Sequence, residues 1–218
     1  SSLLTQPPPL IFIIKLVLSH FFKSATKDKA LSEETTKDAY KQLTSNKHCT
    51  HEVGSPMTEE LSIPIICPTE TVIEDWIDYN GHLNMAFYNV IFDHGIDHLY
   101  DYLGIGKAYT ESGIGSCFTL EAHIHYLNEL SLGDEVRVEL RLINFDSKRI
   151  HIFEEMYHQK EGYLAATSEQ IGMHVDMKTR RSSPLPDQVQ SKLGVLLESH
   201  AKLPLPEQLG HQIGIKNR

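Results

Sequence analysis

The chain has no apolar run long enough to cross a bilayer, no spaced pairs of cysteine and no concentration of basic residues, and each absence removes a class of function. The apolar stretch from Leu10 to Phe22 is interrupted by Lys15 and His20, whereas a membrane helix needs roughly 20 apolar residues. It also lacks the basic start and small-residue cleavage site of a secretory signal, so no membrane partner is expected. The three cysteines, Cys49, Cys67 and Cys117, have neither metal nor redox spacing. A reduced, cytoplasmic protein without disulfides is the reading that follows. Lys and Arg number 20 against 29 Asp and Glu, for a formal net charge of -9. Because phosphate affinity comes from clustered cations that release counterions, no nucleic acid partner is expected.

A length of 218 residues suits one domain, one site and a tail. Residues 1–56 open at Ser1, pass through Pro7-Pro8-Pro9 and become polar and aperiodic from Lys23. They read as a disordered or extraneous extension, with Met57 as a candidate native start. The domain is expected over 57–183, and 184–218 as a terminal helix and tail. Val72 to Ile77 is strand-like, and Asp78-Tyr79-Asn80-Gly81 supplies turn formers. Next, Tyr88, Ile91, Phe92, Leu99 and Leu103 recur at helical spacing, with Asn84 able to cap the start and Gly104 the end. Gly95 lies on that stripe. Glycine inside a helix costs about 1 kcal/mol relative to alanine, so a close packing partner is expected there. Alternation then marks strands at Phe118–Tyr126, whose odd members Glu121, His123 and His125 face away from the dry side, and at Val136–Leu142, Ile150–Tyr157 and Tyr163–Met177. One long helix among antiparallel strands is an α+β layer, a curved sheet wrapped around one helix. Its open flank leads us to expect a homodimer or homotetramer.

The segment Trp76 to Tyr88 sets Asp78 on a turn directly before a helix N-terminus. Free N–H groups there carry partial positive charge and can stabilise an oxyanion, with Asn84 and Met85 as the expected donors. Asp78 suits either nucleophilic attack on a carbonyl or activation of water. The plainer reading is an aspartate that only hydrogen-bonds its own turn.

Asp78-Tyr79-Asn80-Gly81-His82-Leu83-Asn84 resembles the Asp-x-x-Gly-His-x-Asn motif of the hotdog-fold, 4-hydroxybenzoyl-CoA thioesterase-like family. The stretches Thr119–Leu127, Asp146–His158, Ala165–Gln170 and His174–Asp176 extend the likeness to the betainyl-CoA thioesterase group, some of whose domains are fused to carnitine dehydrogenases. The resemblance implies a hotdog fold, an acyl-CoA substrate, no cofactor and Asp78 as the catalytic residue. It further implies hydrolysis of a small acyl-CoA, betainyl-CoA foremost, to glycine betaine and coenzyme A.

A quaternary ammonium would be held by aromatic faces. Trp76, Tyr79, Tyr88 and Phe118 are the candidate walls, and His82 lies in the motif loop. Glu169 shares parity with Ala165, Thr167, Ile171, Met173 and Val175, so it is expected to point into the apolar layer and there to be paired or to serve the site. Lys148-Arg149 and Arg180-Arg181 are candidate partners for coenzyme A phosphates, with ordinary surface charge as the alternative. His94 and His98 stand one helical turn apart among Asp93, Asp97 and Asp101, which reads as a solvated face and not a metal site. Two further functions compete: a hotdog enoyl-CoA hydratase, disfavoured because Asp78 and His82 have the wrong spacing for its Asp/His pair, and a non-catalytic acyl-CoA-binding dimer.

Overall fold

The computed structural model describes residues 63–215; the expected extension over 1–56 lies outside them. In chain order the elements are β1 (Ile65–Ile66), β2 (Glu70–Thr71), a 3-10 turn (Glu74–Trp76), α1 (Met85–Leu103), α2 (Lys107–Glu111), β3 (Gly115–Tyr126), β4 (Glu135–Phe145), β5 (Arg149–His158), β6 (Leu164–Asp176), β7 (Arg181–Ser182) and α3 (Asp187–His200). The strands make one antiparallel sheet in the order β1-β4-β5-β6-β3, with β2 added to β4 and β7 to β6. The curved sheet wraps α1, which is the hotdog arrangement.

Helix α1 forms where its periodicity and caps agree. Its buried face is Tyr88, Ile91, Phe92, Gly95, Ile96, Leu99, Tyr100 and Leu103. The Asn84 side chain accepts the Ala86 N–H, and Gly104 takes the left-handed conformation at φ 83° that ends the helix. Against this face lie the even-numbered residues of the central strands: Val136, Val138, Leu140 and Leu142 on β4, Ile150, Ile152 and Met156 on β5, and Ala166 on β6. Each of these side chains larger than alanine contributes about 1.5–3 kcal/mol on burial. Gly95 is where helix and sheet meet most closely. A Cβ there would stand 2.7 Å from Glu154 Oε1 and 3.3 Å from Val138 Cγ1.

Local pattern and structure part company in three places. Val72–Ile77 is not a strand: after Thr71 the chain tightens into the 3-10 turn, with Trp76 N–H on the Ile73 carbonyl and Ile77 N–H on that of Glu74. The expected dry face of β3 is also absent, since Leu120 is 53% and Tyr126 42% exposed. β3 is the edge strand, and a register shift between Thr119 and Glu121 breaks its alternation. Finally, the parity of β6 is reversed, for Ser168, Gln170 and Gly172 share the helix side while Glu169 lies on the other. The odd face looked apolar because the C-terminal tail covers it, with the Gly210 N–H donating to Glu169 Oε2 at 2.7 Å.

Candidate active site

The turn that carries Asp78 is held by its backbone. Asp78 N–H donates to the His82 carbonyl at 3.0 Å, Gly81 N–H to the Asp78 carbonyl at 3.0 Å, and Ile77 and Leu83 form an isolated bridge. Gly81 has φ 86°, a conformation that favours glycine. Leu83 N–H reaches the Leu130 carbonyl at 2.7 Å and so joins this turn to the β3–β4 loop. These bonds fix the Asp78 side chain, which is 14% exposed, at a cleft of about 390 Å³ lined by Leu83, Met85, Tyr88, Tyr126, Leu127 and Glu129 among others. Asn80 donates its N–H to Asp78 Oδ1 at 2.7 Å and its side-chain amide to Oδ2 at 3.3 Å. The carboxylate therefore both closes its own turn and faces the cleft.

The start of α1 opens on the same cleft. Asn84 is not an available oxyanion donor: its N–H is spent on the Trp76 carbonyl at 2.9 Å, and its side chain caps Ala86. It joins the turn to the start of α1 through these two bonds. Ala86 N–H is taken by that cap, and Phe87 N–H goes to the Asn84 carbonyl. Met85 N–H alone among these first-turn amides has no acceptor among the described residues. It also belongs to a residue that lines the cleft.

Of the aromatic candidates, Tyr88 lines this cleft and the others do not. Trp76 stacks on Phe87 at 5.6 Å and packs on the core, Tyr79 is 97% exposed, and Phe118 sits under the Arg180 guanidinium at 4.9 Å. Tyr126 takes the place of the missing walls, edge-on to Tyr88 at 5.3 Å, with its hydroxyl donating to the Met85 carbonyl at 3.1 Å. His82 stands between two carboxylates, 3.9 Å from Asp78 and 3.8 Å from Glu129. Glu129 and Tyr126 had no local signal; only the fold-back of the β3–β4 loop onto the Asp78 turn brings them in.

Glu169 is away from the cleft, paired with His151 Nε2 at 2.9 Å and with the tail. The carboxyl that does lie beneath the helix is Glu154 on β5, fully buried, with Gln170 Nε2 donating to its Oε2 at 3.1 Å and Oε1 unpartnered. Burial pushes its pKa well above the usual carboxyl range, against the lowering effect of the Gln170 and Ser168 hydrogen bonds. The basic pairs lie at the far end of the strands. Arg149 pairs with Met173 and Arg181 with Asp176 in register, whereas Tyr126 at the cleft pairs with Ala166. Arg149 is further occupied by Asp146 at 2.6 Å. Lys148 precedes it at the same hairpin.

Burial also pushes the Cys67 and Cys117 thiols up to about 12, so neither is a thiolate nucleophile at neutral pH. His94 pairs with Glu70 at 2.9 Å. Among the described residues no cluster of three or more His, Cys, Asp or Glu could hold a metal, and no helix is long and apolar enough to cross a membrane.

The sequence profile of the thioesterase-like superfamily matches residues 72–193, which include every cleft residue named above. Betainyl-CoA thioesterase of Pseudomonas aeruginosa is 38% identical over 144 residues, 66% of this chain and 91% of that protein. L-carnitine dehydrogenase/betainyl-CoA thioesterase of Rhizobium meliloti is 38% identical over 164 residues, 75% of this chain but 33% of that protein, so the chain spans about a third of that relative. A Staphylococcus aureus protein solved in complex with CoA superposes with a TM-score of 0.64 at 36% identity, covering 68% of this chain and 94% of that one.

Proposed function

The chain belongs to the thioesterase-like superfamily and is a thioester hydrolase, and on that premise we propose that it cleaves a small acyl-CoA, betainyl-CoA foremost, with Asp78 as the reacting carboxylate. Its similarity to a betainyl-CoA thioesterase over most of that protein's length supports this acyl group. The observation that carries the residue assignment is the meeting of a mostly buried carboxylate and an unengaged helix-start N–H at one apolar cleft.

As a thioester enters, its carbonyl oxygen is drawn to Met85 N–H, where the helix dipole stabilises the negative charge that develops. Asp78 then acts in one of two balanced ways. As nucleophile, its oxygen bonds to the carbonyl carbon, the C–S bond breaks to release coenzyme A, and water splits the mixed anhydride. As general base, it takes a proton from the water that attacks. Both routes yield coenzyme A and the free acid, and the carboxylate is regenerated.

Among the described residues of one chain, the cleft is lined by no Lys or Arg for coenzyme A phosphates. The remedy we propose is self-pairing through β3, a 12-residue edge strand with exposed Leu120 and Tyr126. Antiparallel pairing of two β3 strands would set the end bearing Phe118 and Arg180 in one copy beside the cleft end of the other. Arg180 and Arg181 are then better placed than Lys148 and Arg149 to meet phosphates.

The test is release of free thiol from acetyl-, betainyl-, longer-chain and aromatic acyl-CoAs by the wild type and Asp78→Asn. We expect betainyl-CoA to be the best substrate and the variant to lose about 10³-fold or more in kcat with coenzyme A affinity retained. Unchanged turnover in Asp78→Asn would refute the residue assignment, and preference for another acyl group would refute the substrate.

A further inference from the structure

In a betainyl thioester the quaternary nitrogen is two bonds from the carbonyl carbon, so the cation cannot be read at a distant subsite. It must lie in the cleft that holds Asp78. Among the described residues, that cleft is lined by two carboxylates, Asp78 and Glu129, two phenol rings, Tyr88 and Tyr126, and neither Lys nor Arg.

The two rings are set differently. Tyr88 is buried, its hydroxyl donating to the Asn128 carbonyl at 3.2 Å. Tyr126 is partly exposed and nearly perpendicular to Tyr88, at an interplanar angle of 83°, with its hydroxyl anchored on the Met85 carbonyl. This ties an aromatic ring to the first residue of α1 at the cleft. Glu129 has its own carbonyl pinned by the Tyr163 hydroxyl at 3.0 Å, while its side chain remains 78% exposed at the cleft mouth. A fixed backbone thus holds out an exposed carboxylate whose contact with an ionisable side chain is a long one, to His82 Nε2 at 3.8 Å.

We infer that Glu129 and Tyr126 are specificity-determining residues that select a cationic acyl group over neutral and anionic ones of the same shape. The inference rests on the thioesterase reading above. The Tyr126 ring attracts the methylated ammonium through its negatively polarised face. Glu129 adds a longer-range attraction, strengthened once substrate displaces water from the cleft. An acyl group ending in a carboxylate meets like charge on both sides.

The experiment compares kcat/KM for betainyl-CoA with that for 3,3-dimethylbutyryl-CoA, in which carbon replaces the quaternary nitrogen and shape is kept. In the wild type the ratio should exceed about ten. Glu129→Gln should lower it about fivefold and Tyr126→Leu about tenfold. Glu129→Gln alters an exposed side chain, so it reports on recognition without a change in packing. A wild-type ratio near one, or a ratio unmoved in both variants, overturns the inference while hydrolysis of both thioesters leaves the thioesterase reading standing. If the wild type cleaves acetyl-CoA but neither of these two, the betainyl assignment falls and the inference with it. If no acyl-CoA is cleaved, the hydrolase reading itself is overturned.

Discussion

Two carboxyl groups approach helix α1, and they meet it in opposite ways. Asp78 sits before the first turn, supplied with N–H donors by Asn80 and opening on a cleft. Glu154 lies against the middle of the helix beneath Gly95, fully buried, with Gln170 at one oxygen and, among the described residues, no hydrogen-bond partner at the other. The contrast teaches that burial alone does not make a reactive carboxylate. A path for substrate is required as well, and of the two it is Asp78 that borders a cleft. Burial instead favours the protonated form of Glu154, which packs under the helix.

Changes at the Glu154 end should therefore act on stability. Gly95→Leu drives a branched side chain into Glu154 and Val138, and we expect a loss of about 3 kcal/mol or more, read as a fall in the denaturant midpoint. Tolerance of leucine would mean that helix and sheet do not meet closely at Gly95. Next in size is the pH dependence of stability. The folded protein keeps the Glu154 proton, whereas the unfolded chain releases it near 4.5. The folded state thus binds more protons, and the contribution present below that pH is lost as pH rises toward the raised folded value. The slope from this one group is at most about 1.4 kcal/mol per pH unit. Glu154→Gln should flatten the fall in midpoint between pH 5 and pH 8, and an unaltered slope would show that Glu154 ionises in the fold. The smallest effect is expected at Glu169, which binds His151 and the tail. Glu169→Gln should change kcat/KM by less than about twofold, and a large loss would return this glutamate to the site.

How much of this was legible beforehand depends on the range of the interactions involved. Helix α1 could be read because its stripe, its Asn84 cap and its Gly104 stop are all local, and the close contact at Gly95 followed from the cost of an unexplained glycine. The turn at Asp78 was legible for the same reason. Alternation does not place Glu169, because it identifies two faces of a strand but not which of them meets the helix, and the tail at Gly210 gives the outer face cover of its own. Tyr126 and Glu129 reach the cleft through the Leu83–Leu130 bond, which joins segments far apart in the chain. The Asn84 amide is spent on the Trp76 carbonyl because the preceding segment is a 3-10 turn and not a strand.

The central claim is that a single backbone N–H at the head of α1 stabilises charge on the substrate carbonyl, and Met85→Pro tests it with little disturbance elsewhere. Proline lacks that N–H yet is well accepted at the first helical position, and Asn84, at φ -65° and ψ 140°, already has the conformation that a residue before proline adopts. Met85→Ala, which keeps the N–H, is the control. We predict that kcat for the thioester falls about 10²-fold or more in Met85→Pro relative to Met85→Ala, with the melting temperature nearly unchanged. Equal kcat in the two folded variants would contradict the account.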